Sequence, residues 1–285
     1  MDLTSPGTIR EICAKFNFDF SKGLGQNFLL DKNVLEKIAC AAEAENVLEI
    51  GPGFGCLTYE LAGMKKNVVS VEIDKRLIPV LDYTLSEFDN VTIVQSDILK
   101  TDVKALLKEH FDSGKISVAA NLPYYITTPI IAMLLELRLG LKNVVVMVQK
   151  EVAERICAEP GSKEYGAISV MCRYYSEPEI IEKVPAGSFM PPPKVDSAVL
   201  NLKIRDTAPV QPVDETLFFR VVKAAFAQRR KTLSNCLAHG VGLDKETARK
   251  ALTECGFDPR IRGECLSVED FAAVADSIAD IEKKQ

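Results

Sequence analysis

The sequence predicts an α/β fold: a twisted, mostly parallel sheet with an antiparallel edge, followed by a small all-α domain. Two observations support the sheet. Short apolar runs alternate with helical patterns between about residues 46 and 157, which is the arrangement of successive βαβ units. Two later apolar runs have no helix between them, as an antiparallel pair requires. A third observation, the helical composition beyond residue 205, indicates the second domain.

The first predicted strand, Asn46–Ile50, runs directly into the glycine-rich turn Gly51–Gly55, and a helix follows from about Cys56. Such a turn lets the backbone approach a nucleotide closely. The next strand ends in Glu72, at the distance where an acidic side chain reaches ribose hydroxyls. A dinucleotide-binding fold is the alternative, but Cys56 stands where its fingerprint has a third glycine. Pro52 also removes an N–H that a pyrophosphate would use. The pattern therefore favours a nucleoside cofactor without phosphates.

A third predicted strand, Val91–Gln95, ends just before Asp97 and Ile98. An aspartate in this place can accept a hydrogen bond from an adenine amino group, and Ile98 can pack against the base. The alternative is that Asp97 caps the helix predicted around Val103–Leu107. The sequence leaves both interpretations open.

A fourth predicted strand, Ile116–Ala120, leads into the tetrad Asn121-Leu122-Pro123-Tyr124. Open α/β sheets bind ligands at this end of a strand. The Asn121 side-chain oxygen and the Leu122 carbonyl, turned by Pro123, can each accept one N–H of an aromatic amine. These bonds would draw the lone pair back onto nitrogen, and an Asn in place of an Asp argues that no proton is removed before attack. Tyr124 offers a face for base stacking. The alternative is an ordinary strand-to-turn junction.

A fifth predicted strand, Asn143–Val148, completes the parallel part of the sheet. The later runs Ile180–Val184 and Ala198–Ile204 are predicted to form an antiparallel pair at the sheet edge. Between them, three prolines within Phe189–Ser197 predict an extended rim. Phe189 is a candidate second aromatic face for a flipped base. The alternative is a core phenylalanine in a rigid crossover.

The predicted domains are residues 1–205 and residues 206–285, because prolines beyond Arg205 mark a linker and helical patterns follow it. The second domain contains the basic cluster Arg229-Arg230-Lys231. Together with Lys22 and Lys194, this cluster could line a track for RNA phosphates. A solvated helix end is the alternative.

Composition excludes several classes of function. The formal net charge of the 285 residues is -5, so any nucleic acid must be held by local patches. The eight cysteines lack C-x-x-C spacing, which is typical of reduced thiols in a cytosolic protein. Only His110 and His239 are available, which argues against a metal site or a histidine-based triad. We expect no secretory leader and no membrane span.

As a set, these motifs resemble the bacterial small-subunit ribosomal RNA adenine N6,N6-dimethyltransferases. Each stretch is degenerate alone, but six in this order are specific. The matching stretches are Gly25–Leu29, Glu49–Gly53, Val71–Asp74, Asn121–Tyr124, Phe189–Ser197 and Ala227–Leu233.

The resemblance implies a class I, Rossmann-like methyltransferase domain with an N-terminal lid over residues 1–30, and a helical RNA-binding domain. It implies S-adenosylmethionine as the methyl donor, no metal, and a cytoplasmic monomer. The implied substrate is a pair of adjacent adenosines in the 3′-terminal hairpin of 16S rRNA, within an immature 30S subunit. The target adenine would be held by the tetrad and Phe189. The implied donor contacts are Asn27, Leu29, Gly51, Gly53, Glu72, Ile73, Asp97, Ile98 and Asn121.

Two features depart from the family pattern. Position 125 is Tyr, where many members carry Asn, and the net charge is acidic. Two alternatives of the same fold also remain: an enzyme that dimethylates large-subunit RNA and confers antibiotic resistance, and an assembly factor that binds RNA without turnover. The continuous stretch Phe226–Lys231 resembles the small-subunit branch more closely.

Overall fold

The computed structural model describes residues 1–20 and 25–283. The chain forms two compact units, the first from Met1–Ala153 and Pro178–Ile204 and the second from Glu154–Glu177 and Arg205–Gln285. The segment Glu154–Glu177, which the sequence analysis placed in the first domain, thus belongs to the second unit. The physical reason is that Tyr165, Val170 and Tyr174 are buried in the apolar core of that unit.

Seven strands of the described chain form one sheet in the order β4-β3-β2-β5-β6-β9-β7, and β1 and β8 pair as a separate antiparallel ribbon. Neighbours from β4 to β6 are parallel, and β9 runs antiparallel to β6. This confirms the predicted mostly parallel sheet with an antiparallel edge. The strands are β1 Phe28–Leu29, β2 Asn46–Ile50, β3 Asn67–Glu72, β4 Val91–Gln95, β5 Ile116–Asn121, β6 Asn143–Gln149, β7 Ser176–Val184, β8 Phe189–Met190 and β9 Ser197–Ile204.

The sheet is the core of the first unit because its central strands are buried on both faces. Every residue of β2 is buried, and β6 is buried up to its last residue. Helices cover the faces, as a parallel sheet requires. They are α1 Pro6–Phe16, α2 Lys32–Ala41, α3 Cys56–Met64, α4 Ile78–Thr84, α5 Val103–His110, α6 Thr127–Glu136 and α7 Lys150–Cys157, the last of which continues into the second unit.

The second unit is helical, and its core includes Phe218 and Phe271, both fully buried. The first two of its C-terminal helices cross closely, since a side-chain carbon on Gly240 would stand 2.4 Å from Ala224 Cβ. None of the helices described is both long and apolar enough for a bilayer crossing. The helices of this unit are α8 Ala167–Tyr175, α9 Glu215–Ala227, α10 Leu233–Gly240, α11 Lys245–Glu254 and α12 Val268–Lys283.

Candidate active site

A cleft opens in the first unit at the carboxyl ends of β2, β3, β4 and β5, where the strand order reverses and α/β sheets bind their ligands. It holds about 790 Å³, including the part open to solvent, which lies in the range of small-molecule sites. The cleft brings together residues that are distant in sequence. Among those lining it are Gly25, Gln26, Asn27, Phe28, Gly51, Gly53, Glu72, Ile73, Ser96, Asp97, Ile98, Asn121, Leu122, Pro123, Tyr124 and Ile126.

Glu72 is a buried carboxylate at the end of β3, and backbone donors hold it in place. Its Oε2 accepts the Gly53 N–H at 3.2 Å, and its Oε1 accepts the Asp74 N–H at 2.8 Å. Burial raises its pKa, an effect that the backbone donors oppose. At Gly53, with φ of 62°, a side-chain carbon would stand 2.5 Å from the Phe28 ring, so only glycine fits there. The result is a fixed acceptor facing a bare backbone turn.

Asp97 and Ile98 line the cleft beyond β4. Asp97 Oδ1 accepts the Leu99 N–H at 3.1 Å, and Oδ2 lies 3.2 Å from Lys100 Nζ. The cap of α5 is instead Asp102, whose carboxylate accepts the Ala105 N–H at 3.1 Å. The capping interpretation of Asp97 is therefore wrong, and its side chain lies where a ligand can reach it.

Asn121, the last residue of β5, is tethered to the N-terminal segment. Its Nδ2 donates to the Asn27 carbonyl at 3.0 Å, and the Asn27 amide in turn donates to the Gly25 carbonyl at 3.1 Å. The first bond occupies the donor end of the Asn121 amide and fixes its orientation. The Oδ1 atom therefore remains as the acceptor for a bound ligand.

Tyr124 is fixed by its hydroxyl. The hydroxyl shares a hydrogen bond of 2.7 Å with Ser197 Oγ, which is fully buried in β9. Burial also raises the pKa of Tyr124, so the phenol stays neutral. The ring is thus a rigid, uncharged face at the wall of the cleft.

The cleft thus combines a glycine turn, a buried carboxylate at the end of β3 and a tethered Asn-Leu-Pro-Tyr turn. The chain that carries these features also matches a known family over most of its length. The model of the family described as ribosomal RNA adenine dimethylase matches residues 17–280. The chain belongs to that family. Family membership confirms the predicted enzyme class, an S-adenosylmethionine-dependent methyltransferase that dimethylates adenine in ribosomal RNA.

Relatives and solved structures agree with this membership. The chain is 49% identical over 284 residues to Ribosomal RNA small subunit methyltransferase A of Bacillus mycoides, covering 97% of each chain. A dimethyladenosine transferase from Plasmodium falciparum superposes with a TM-score of 0.75 at 25% identity, over 90% of this chain and 98% of that one. The 23S rRNA methyltransferase ErmE gives a TM-score of 0.67 at 27% identity, over 89% of this chain and all of the other.

Two residues that the family resemblance implied for this dimethylase site lie outside the cleft. Leu29 of β1 and Phe189 of β8 are register partners, and both are buried in the apolar core with 2% and 5% exposure. Phe189 lines a different cavity, between α1 and the β1–β8 ribbon, so the structure does not bring it to Asn121. The aromatic residues that line the cleft are instead Tyr124 of the tetrad and Phe28 of β1.

The predicted RNA contacts fall in different places. Lys194 is exposed between β8 and β9, and Lys22 lies outside the described residues. Arg230 and Lys231 are exposed in the second unit. Arg229 is already engaged, because its guanidinium donates to the carbonyls of Lys163 and Tyr165 and faces Glu264 at 3.4 Å.

Gln26, Phe28 and Asp74 were not predicted as site residues, although each lies within one of the motifs Gly25–Leu29 and Val71–Asp74. Gln26 and Phe28 line the cleft, and Gln26 Nε2 donates to Asp74 Oδ2 at 3.0 Å. The sequence signal that could have indicated these residues is the presence of both the Gly25–Leu29 motif and the Val71–Asp74 motif. Their contact joins residues 48 positions apart, which no local pattern reveals.

Glu49 in β2 predicts a pH dependence of stability. It is 1% exposed, its Oε2 accepts from Thr58 Oγ1 and Ser70 Oγ, and its Oε1 has no partner among the described residues. Burial, with the nearby Glu72 carboxylate, raises its pKa from 4.5 to about 7. Because the folded state holds the Glu49 proton more tightly than the unfolded state does, protonation of Glu49 stabilises the fold. This contribution to stability is fully present below pH 4.5 and is lost as pH rises through 7.

We therefore expect Glu49→Gln to gain stability relative to wild type as pH rises from 5 to 8, by up to about 3 kcal/mol. Urea unfolding at several pH values measures this difference. Glu109→Gln, an exposed carboxylate on α5, is the control and should run parallel to wild type. Equal pH slopes for wild type and Glu49→Gln would show that Glu49 ionises normally in the fold.

Proposed function

We propose that the chain methylates N6 of two adjacent adenosines in the 3′-terminal hairpin of 16S rRNA, within an immature small subunit in the cytoplasm. The observation that carries this proposal is the tethered Asn121 amide, which keeps an acceptor oxygen in the cleft at the carboxyl ends of the parallel strands. The small-subunit relative is 49% identical, against 27% for the large-subunit enzyme, which favours 16S rRNA. We also propose that the chain acts as a monomer.

The residues present fit S-adenosylmethionine. Glu72 would accept the ribose hydroxyls, since its carboxylate is held by backbone donors at the cleft wall. Asp97 would accept the adenine amino group, and Ile73 and Ile98 would pack on the purine. The turn between β2 and α3 lacks one N–H at Pro52, consistent with a ligand that carries no phosphate.

When bound, the donor supplies an electrophilic methyl group on its sulfonium. Asn121 Oδ1 and the Leu122 carbonyl would each accept one N–H of the adenine amine, which localises the lone pair on N6 and aims it at the methyl carbon. The N–C bond forms as the C–S bond breaks, and S-adenosylhomocysteine leaves. The nitrogen, now strongly acidic, releases its proton to water. The chain therefore acts mainly by orientation and needs no general base.

The decisive experiment incubates the protein with labelled donor and under-methylated small subunits, and then locates the modified nucleotides by primer extension. We expect label on two adjacent adenosines near the 3′ end of 16S rRNA. Label in 23S rRNA would establish the large-subunit alternative. Donor binding without any label would support the assembly factor.

We also propose that the exposed residues Arg230 and Lys231 contact RNA phosphates. The double variant Arg230→Gln/Lys231→Gln should make the plot of log affinity for RNA against log salt shallower by about 1.5. Arg229 is left intact because its contacts to Lys163 and Tyr165 would confound stability with binding. Lys104→Gln/Lys108→Gln, two exposed lysines on α5, is the charge-matched control. An unchanged slope would show that these residues are solvated and do not contact RNA phosphates.

A further inference from the structure

Tyr125 presents an open aromatic ring at the rim of the cleft. It is 60% exposed, more than any other aromatic side chain in the part of the chain described. It belongs to the short 3-10 turn Tyr124–Ile126, and the other two residues of that turn line the cleft. One edge of the ring lies beside Gly25, where an added side-chain carbon would stand 3.4 Å from the ring atoms Cδ1 and Cε1. The ring is therefore supported on one side and open on the rest.

The two adjacent tyrosines have different environments. The Tyr124 hydroxyl is bonded to buried Ser197, so that side chain is committed to the wall. Tyr125 leaves most of its ring in water beside the entrance. An aromatic ring at such a position suits a nucleobase, because every base has a π-face that stacks regardless of its identity.

We propose that Tyr125 forms a stacking subsite for the nucleobase next to the target adenine. This rests on the proposed function, in which RNA approaches the cleft and the target leaves its stack. Flipping the target deprives the neighbouring base of a stacking partner, and the Tyr125 ring replaces that partner at the rim. In the proposed substrate one neighbour is the other adenosine of the pair.

The test compares Tyr125→Ala with wild type, and Tyr83→Ala, an exposed aromatic outside the cleft, is the control. We expect KM for the RNA to rise about 5- to 20-fold, with the donor Kd and the rate at saturating RNA within about twofold. Tyr125→Phe and Tyr125→Trp should restore KM, whereas Tyr125→Asn should behave like Tyr125→Ala. An RNA whose neighbouring nucleotide is abasic should remove the difference between wild type and Tyr125→Ala.

Three outcomes would overturn the subsite: an unchanged KM in Tyr125→Ala, failure of the Phe and Trp variants to rescue, or the same difference with the abasic RNA. Failure of the proposed function is a separate result. It would appear as wild-type protein that leaves 16S rRNA unmodified, whereas the subsite is read from ratios between variants on whichever RNA the wild type methylates.

A second, independent feature is the ion pair between Asp74 and Arg76 beside the donor cleft. Asp74 is 6% exposed, and its backbone N–H donates to Glu72 Oε1 at 2.8 Å. Its carboxylate accepts from Arg76 Nε at 2.9 Å and Nη2 at 2.6 Å, and also from Gln26 Nε2 at 3.0 Å. The Arg76 guanidinium holds the pKa of Asp74 below its usual range.

Arg76 extends these contacts to Phe18 and Asp19, which follow the C-terminal end of α1. Its Nη1 donates to the Asp19 carbonyl at 3.4 Å, and its guanidinium carbon lies 5.0 Å from the centre of the Phe18 ring. The Asp74–Arg76 ion pair thus connects the Glu72 carboxylate to two places near the N-terminus, Phe18–Asp19 and Gln26. Gln26 itself lines the cleft beside Asn27, the residue that tethers Asn121.

We infer that Arg76 is a positioning residue for the donor, acting through Asp74 on Gln26 and Glu72. Arg76→Ala should raise the donor Kd and its dissociation rate about tenfold, while the rate at saturating donor changes less than threefold. Arg76→Lys should restore part of the affinity, because an ammonium keeps the charge but loses the bidentate fork. Lys75→Ala, the exposed neighbour, is the charge-matched control.

Measurements well below the melting temperature separate this role from general stability, which would not alter donor dissociation selectively. Donor Kd and dissociation rate equal to wild type in Arg76→Ala would overturn the inference. So would an equal loss in the Lys75→Ala control, since the effect would then be one of net charge.

Discussion

Replacing Asn121 by alanine is expected to lower the rate of methyl transfer by about 10²- to 10³-fold, with folding intact and donor affinity within about tenfold of wild type. The Asn121 amide donates to the Asn27 carbonyl, so its oxygen is held as an acceptor before any ligand arrives. Alanine removes that acceptor from the reacting amine. The loss should fall on the chemical step, because orientation and lone-pair localisation are needed only there.

Single-turnover methylation of under-methylated small subunits measures the chemical step, and calorimetry with the donor measures binding. Asn235→Ala is the matched control, since the Asn235 amide also makes a side-chain hydrogen bond, to Thr232 Oγ1 at 2.9 Å, but on α10 of the second unit. That variant should methylate normally. Turnover near the wild-type level in Asn121→Ala would remove the tetrad from the mechanism.

The position of Asn121 could be predicted because it depends on local pattern. A short apolar run fixes β5, and the topology of parallel sheets places the next residue at the ligand edge. The same logic located Glu72 at the end of β3 and Asp97 just after β4. What the sequence could not provide is the partner of each side chain. The bond from Asn121 to Asn27 spans 94 residues, and nothing in either motif specifies it.

The capping alternative for Asp97 shows a second limit. Asp97 and Asp102 both precede α5, and either residue type is a good N-cap. The structure uses Asp102, because it lies directly before the first turn of the helix. The exact start of the helix therefore determines which aspartate is its cap and which is left for a ligand. A sequence pattern places that start only to within a few residues.

Phe189 and the segment Glu154–Glu177 depend on tertiary packing. Both β1 and β8 have two residues each, too short for any periodicity to show, yet their pairing determines that Leu29 and Phe189 are buried. The periodicity of α8 indicates a helix but not which core receives it. The apolar residues of Glu154–Glu177 pack with Phe218 of α9, far along the chain.

Replacing Glu72 by glutamine is expected to weaken donor binding at least about 30-fold, while the unliganded protein keeps its stability. The Glu72 carboxylate uses one lone pair on each oxygen for the N–H groups of Gly53 and Asp74, which leaves charged acceptors for two hydroxyls. Glutamine has one acceptor oxygen, and its NH2 group faces one of the backbone donors. Hydrogen bonds to charged groups contribute about 1.5–3 kcal/mol each, so losing part of this set accounts for the expected change.

Stability should not fall in parallel with donor binding. Because burial raises the pKa of Glu72, its ionised form costs folding free energy at neutral pH, and that cost grows as pH rises through the folded pKa. Glutamine removes the charge and with it this cost, which offsets the lost backbone hydrogen bond. Thermal melts of the unliganded proteins measure this, with Glu109→Gln as the exposed control.

The same raised pKa predicts how donor affinity depends on pH. Ribose hydroxyls need an acceptor, and protonation of Glu72 removes acceptor capacity at a higher pH than it would for an exposed glutamate. Donor affinity of the wild type should therefore fall as pH is lowered from neutrality, whereas that of Glu72→Gln should stay flat. Calorimetry from pH 5 to pH 8 measures both. Equal donor affinities for wild type and Glu72→Gln at neutral pH would mean that the ribose is held elsewhere in the cleft.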